Sequence, residues 1–352
     1  EVVTVVVFEF SVMRCQPLRR ALSEFGVSMY LLNMGLLKPG DIILTGSDAK
    51  LSRVIKKFTK GSFSHAILYV GDGSYIHSDR DGVHSSNIQR LLFEEESNVT
   101  VLRAANEQVV SLACDFARSQ VGKEYSVKGA INAKIKAPLS VDTNRQFCSK
   151  LVAKAYEFAG LKLVENTDTC MPKEIEESQY LKRVNKITVK ANEAEIEFAT
   201  SDSPLDKQTE ATNKILFAAR ALFKKDIQTL SELPHFLFQQ PQFDSQISKV
   251  VLESGYLTLW DNDRVKNPWR YDLNVFCNLP VPEAEKYALA KREFDSSKGM
   301  LERFGSMLKF YTDAHGQHNL QFTKLHRDLY LKLCLGITDN HKVASSYLEK
   351  FT

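Results

Sequence analysis

Long apolar runs are missing from this 352-residue chain. The longest, Val2–Phe8, is interrupted by Thr4 and falls far short of the roughly 20 residues a spanning helix requires, so no integral membrane protein is expected. Charge of one sign is missing too: 46 Lys and Arg face 43 Asp and Glu, which leaves no general basic face for a nucleic-acid backbone. Close cysteine pairs are absent. Cys15, Cys114, Cys148, Cys170, Cys277 and Cys334 are scattered, with no CxxC, which argues against a zinc ribbon or a thioredoxin-like site. In a chain long enough to bury a core without staples, they read as reduced and mostly buried thiols, favouring a reducing compartment. Repeats of fixed period and low-complexity tracts are also lacking. What remains is ordinary globular composition, 43% hydrophobic and 25% charged, at a length that suits two domains. The first residue is Glu rather than Met, so the compartment is read as cytoplasmic, or as that of a delivered or secreted effector, without help from the N-terminus.

The pattern along the chain changes near residue 200. Before it, short β-branched and aromatic runs alternate with amphipathic stretches. Strands are expected at Val2–Phe8, Ile42–Thr45, Phe63–Val70, Ser74–His77 and Val99–Arg103. Helices are expected at Leu18–Leu32, Leu51–Phe58, Gln108–Val121 and Arg145–Phe158, with turns at Lys38–Asp41 and Gly71–Gly73. Irregular mixing of strands, hairpins and helices argues for an α+β domain rather than regular βαβ winding. Residues 191–205 are polar enough for a linker. Beyond them helical patterns dominate: Lys207–Leu230, Pro282–Asp313, Gln321–Leu335 and His341–Phe351.

Three residues carry the chemistry. Cys148 falls in the first turn of the helix expected from Arg145, where the positive end of the helix dipole favours thiolate over thiol. His65 lies in an apolar strand, and His77 lies on the strand returning from the Gly71–Gly73 turn. A tight hairpin brings the two imidazoles within hydrogen-bond reach, one to take the thiol proton and the second to orient it. His84 is an alternative orienting residue if the hairpin register differs. His315 and His318 have helical i, i+3 spacing, with His326 beyond them, but no clear third ligand is near; all three are read as solvent-facing. Cys114 reads as core. Lys56, Lys57 and Lys60 read as a solvated basic face, or as a hold for acidic substrate or lipid headgroups. Trp260 and Trp269, around Asn267-Pro268, read as packing anchors or as a recognition spot.

The stretch Phe63–Gly73 followed by Tyr75-Ile76-His77 resembles the His…His hairpin of the circularly permuted NlpC-type, papain-like families. These include the bacterial YiiX-like amidases and the lecithin:retinol acyltransferase-like enzymes. Gly40–Leu44 resembles their entry strand, Phe147–Val152 their nucleophile helix, and Gly122-Lys123-Glu124-Tyr125 the Gly-x-x-Tyr stretch before it. The likeness covers roughly residues 38–165. It implies Cys148 as nucleophile, His65 as general base, His77 as the orienting third member and Tyr125 near the oxyanion. The chain departs from the YiiX-like pattern at His77, where many members have an acidic residue, and at Ser126, where they have Asp. It departs from the acyltransferase pattern at Phe147–Lys150, where that branch has Asn-Cys-Glu-His.

The expected architecture is therefore an N-terminal strand and helix (1–37), a permuted papain-like domain (38–195) with a small antiparallel sheet packed on helices, and a helical domain of unassigned role (205–352). The expected activity is that of a thiol hydrolase, an amidase or thiol protease working through an acyl-enzyme on peptide or peptidoglycan-type amides, with no metal or organic cofactor. A lipid acyl hydrolase or acyltransferase with the same triad is the first alternative, with peripheral membrane contact through Leu31–Leu37 and the Lys56/Lys57 cluster. A non-catalytic binding protein with a vestigial site is the second. Residues 205–352 are a candidate surface for a protein partner.

Overall fold

In a computed structural model, which describes residues 28–46, 63–125 and 147–351, the first half of the chain forms eight short strands. β1 (Tyr30–Leu32), β2 (Ile42–Thr45), β3 (His65–Gly71), β4 (Ser74–Asp79), β5 (Gly82–Asn87), β6 (Val99–Ala104), β7 (Leu181–Arg183) and β8 (Thr188–Lys190) build two sheets. The larger has the order β5-β4-β3-β2-β6-β7, with every neighbouring pair antiparallel. The smaller pairs β1 with β8. The β3–β4 connection follows from its two loop residues, Asp72 and Gly73, at φ 52° and 75°. Asp-Gly tolerates the two positive φ values that match the turn to the twist of the strands. Gly82, at φ 93°, serves the next hairpin.

Alternation along the strands gives the sheet two apolar faces. Ile42, Leu44, Ala66, Leu68, Val70, Ile76 and Leu102 share a core with α1 (Gln108–Ser119) and α2 (Cys148–Phe158). Ile43, Ile67, Tyr69, Tyr75 and Val101 pack on the other side with Leu32, Leu37, Phe93 and Ile187. A short α3 (Pro172–Glu176) and α4 (Glu193–Thr200) complete this unit, which the chain leaves at Ser203. Asp41 is fully buried and receives two hydrogen bonds of 2.7 Å from Arg103 and one of 2.8 Å from the Lys38 N–H, fixing the turn into β2. The domain is α+β, an antiparallel sheet packed on helices.

The second compact unit, Gly122–Glu124 with Pro204–Thr352, is helical. It comprises α5 (Pro204–Phe223), α6 (Leu233–Gln239), α7 (Asp244–Glu253), α8 (Asp261–Lys266), α9 (Leu273–Cys277), α10 (Glu283–His318) and α11 (Gln321–Leu348). The long α10 and α11 are joined at Asn319, whose φ of 49° ends α10. One core gathers Ile215, Leu216, Phe223, Leu237, Ile247, Tyr311 and Phe322. A smaller one holds Phe276, Ala290, Val343 and Tyr347. Trp269 packs against Phe276, and Trp260 meets Phe304 edge-on while staying 40% exposed.

Several expectations are corrected. Tyr30–Leu32, the end of the expected Leu18–Leu32 helix, is a strand because it finds a partner in Thr188–Lys190. In the Leu31–Leu37 stretch, Leu31, Leu32 and Leu37 are buried and Leu36 is exposed. The polar 191–205 stretch contains α4, started by an Asn192–Glu195 capping box. The two helices expected around Gly336 are a single α11. A helical glycine costs about 1 kcal/mol relative to alanine, and buried Leu333, Ile337, Val343 and Ala344 outweigh it. Val2–Phe8, the greater part of Leu18–Leu32, Leu51–Phe58 with Lys56 and Lys57, Lys60, Cys15 and Ser126 lie outside the described residues. Among those described, no helix is long and apolar enough to cross a membrane.

Candidate active site

α2 begins on Cys148 itself. Phe147 before it is extended (φ −133°, ψ 163°) and offers no side-chain cap, so the N–H groups of the first turn are left for other acceptors. The Cys148 sulfur takes two backbone N–H groups, those of Ser149 in this turn and Ala66 on β3, together with a hydrogen bond to His65. Burial pushes this thiol up. The charge of His65, its hydrogen bond and the two N–H donors outweigh that and hold Cys148 below the ordinary thiol range. The same pair read from the other side gives His65 raised: burial opposes the charge, and the Cys148 thiolate overrides it. The two directions agree on a thiolate–imidazolium pair.

His65 Nε2 meets His77 Nδ1 at 3.0 Å. Burial, with the charges of His65 and His84, drives His77 well below the usual histidine range, so it is neutral beside a charged neighbour. His65 then donates through Nε2–H, and His77 accepts at Nδ1. Beyond His77 lies a second pair. His84 is directly opposite His77 in the β4–β5 ladder, the two ring centroids are 4.3 Å apart, and His84 Nε2 lies 3.0 Å from Asp79 Oδ1. Asp79 also accepts the Asp81 N–H. Burial raises Asp79, but the His84 hydrogen bond and charge bring it down to about 2. His84 is correspondingly raised by Asp79 against its own burial.

Tyr125 is half-buried. Burial first, then the negative charges of Cys148 and Asp79, raise its phenol far above the ordinary value, so it remains a neutral O–H donor within range of the thiolate's field. α2 is held from behind. Ser149 Oγ donates to the Cys170 carbonyl at 2.7 Å, buried Lys150 pairs with Asp168 at 3.6 Å, and the Tyr156 hydroxyl donates to the Gly40 carbonyl. Gly40 sits at φ 84°, and a Cβ there would meet Val110 at 2.8 Å, so glycine is required at this junction on two counts.

The structure thus brings together Cys148, His65 and His77, with Tyr125 close by. His84 stands on the far side of His77 from His65. Asp79 escapes the sequence reading, although its signal was present: it is two residues from His77 on the same strand, hence on the same face, one rung from His84. Cys114 is buried as expected, its thiol donating to the Tyr69 carbonyl. His315 and His318 gather no third ligand among the described residues. His326 is corrected: it is 2% exposed, donates Nδ1–H to the Phe322 carbonyl and stacks on Tyr311.

Residues 36–203 match the family of permuted papain-like amidase enzymes described as YaeF/YiiX, C92. This domain belongs to the permuted papain-like superfamily. A crystal structure of metalloprotein yiiX from Escherichia coli O157:H7 is similar at 16% identity over 42% of this chain and 97% of that one, with a TM-score of 0.29. No curated protein matches the chain. The permuted papain-like domain holds every site residue named above, and hydrolysis of the amidase type is the reaction class of its family.

Proposed function

We propose that the chain is a thiol hydrolase that cleaves an amide bond of peptide or peptidoglycan type through an acyl-enzyme. The observation that carries this reading is a cysteine at a helix N-terminus, hydrogen-bonded to a histidine whose Nε2 is 3.0 Å from a second histidine. In the proposed reaction Cys148 Sγ adds to the carbonyl carbon, and the Cys148 N–H and the Tyr125 hydroxyl receive the developing oxyanion. The C–N bond breaks as His65 passes its proton to the leaving amine. Water then adds to the thioester while His65 takes its proton, and the C–S bond breaks to release the acid and leave the Cys148 thiolate beside protonated His65. His77 acts through His65, holding the ring by accepting its Nε2–H.

Two measurements test this. Iodoacetamide alkylation of Cys148 is expected to stay fast well below the usual thiol pKa of about 8.5, because the thiolate forms at the lowered Cys148 value. His65→Ala leaves only the Ala66 and Ser149 N–H groups against burial, so the rate is expected to fall more than about 100-fold at pH 6. A profile indifferent to His65 sinks the proposal. Amine release from cell-wall peptides, set beside fatty-acid release from liposomes, separates amide from lipid ester cleavage.

A further inference from the structure

His77 makes one hydrogen bond and is left wanting another. Its Nδ1 faces His65, but its Nε2 is buried with no hydrogen-bond partner, on a residue 9% exposed. A ring nitrogen sealed from water in this way, with no partner, is a cost to the fold. Strand geometry decides what it faces. The two-residue repeat of β4 puts Asp79 on the same face as His77, and the antiparallel register puts His84 directly opposite. The three side chains' ligand atoms lie within 4.8 Å of one another. Around a tetrahedral zinc ion such atoms sit about 3.3 Å apart, and the His84–Asp79 pair is already at 3.0 Å. Closing the remaining gap asks for a small side-chain rotation on a rigid hairpin. Access is available, because Asp79 is 36% exposed.

We propose that His77 Nε2, His84 Nε2 and an Asp79 carboxylate oxygen form a binding site for a divalent cation of the zinc class, with a water completing the tetrahedron. Two imidazoles and one carboxylate are a donor set that zinc favours, and magnesium or calcium does not. The site lies behind the cysteine–histidine pair, on the side of His77 away from His65, so its ligands include neither Cys148 nor His65.

A metal on Nε2 takes the place of the proton that this nitrogen carries when Nδ1 accepts from His65, and His77 then carries its proton on Nδ1.

The test is titration of the full chain, as Cys148→Ala, with cobalt(II) and then zinc. The expected result is a tetrahedral cobalt spectrum lacking a thiolate charge-transfer band, displaced by one equivalent of zinc. His84→Ala and Asp79→Asn, each in that background, are expected to weaken binding by at least the roughly tenfold that even an outer-shell partner contributes. Asp79→Asn keeps the shape of the hairpin should His84→Ala fail to fold. Binding unchanged in both variants, or binding seen only when Cys148 is present, overturns the site. Failure of the amidase assay alone leaves the cobalt and zinc result standing.

Discussion

At the scale of single residues, the buried histidines set how the protein responds to acid. His326 is sealed among aromatic rings, and burial lowers it to about 4. Its folded-state value is depressed, so the unfolded chain takes up the proton first as pH falls below about 6.5. Stability is therefore full at neutral pH and is lost progressively towards pH 4, by up to about 3 kcal/mol for this group alone. Replacement by a residue that does not titrate removes the loss. His326→Leu is expected to melt closer to its own neutral-pH Tm at pH 4.5 than the native chain does, as read by thermal scans at the two pH values. An equal drop in both proteins would assign the acid sensitivity elsewhere. Asp79 has the opposite sign of charge and a different window: brought down to about 2 by His84, its contribution is present above pH 4 and disappears between about 4 and 2.

Secondary-structure elements depend on residues far from them in sequence. α11 starts at Gln321 without a cap from its own N-cap residue, Leu320. The carboxylate of Asp244, at the start of α7, fills that role, accepting the Gln321 and Phe322 N–H groups at 2.7 and 2.9 Å. Asp244→Ala leaves both donors unmet and is expected to destabilise the helical unit by about 1–2 kcal/mol, measured by denaturant unfolding. Asp244→Asn, which retains an acceptor, is expected to recover part of it. Such a cap across 77 residues has no local signature, and this marks where sequence reading stops. Local patterns were readable. Ile42–Thr45 is the strand its β-branched run suggests, Asp72-Gly73 makes the turn its φ preferences suggest, and the hairpin duly sets His65 against His77. Tyr30–Leu32 has a helical pattern yet forms a strand, because its partner, β8, is more than 150 residues away. The gap expected between Gln321–Leu335 and His341–Phe351 is helical because the packing of Leu333, Ile337, Val343 and Ala344 overrides local propensity. At the site, Cys148 and the two histidines stood out by residue type and order. Asp79 did not, since its significance lies in a cross-strand register that no single run of residues displays.

Across the whole molecule, two compact units are built by different means. One uses a sheet with cores on both faces; the other uses long helices meeting at aromatic-rich cores. The order of the residues along the chain has a bearing on how the first unit comes into being. His65, His77, Asp79 and His84 are all contributed by consecutive hairpins within twenty residues, whereas Cys148 reaches them from 64 residues further on. Short loops close sooner and at lower entropic cost than long ones. The histidine half of the site is thus expected to assemble from local contacts, and Cys148 to arrive when α2 docks. Pulse-labelled hydrogen exchange during refolding is expected to protect amides of β3–β5 before those of α2; the reverse order would refute this. A site so arranged keeps its sulfur an ordinary thiol until the chain around it is complete, so a half-made or misfolded copy does not carry the lowered Cys148 value.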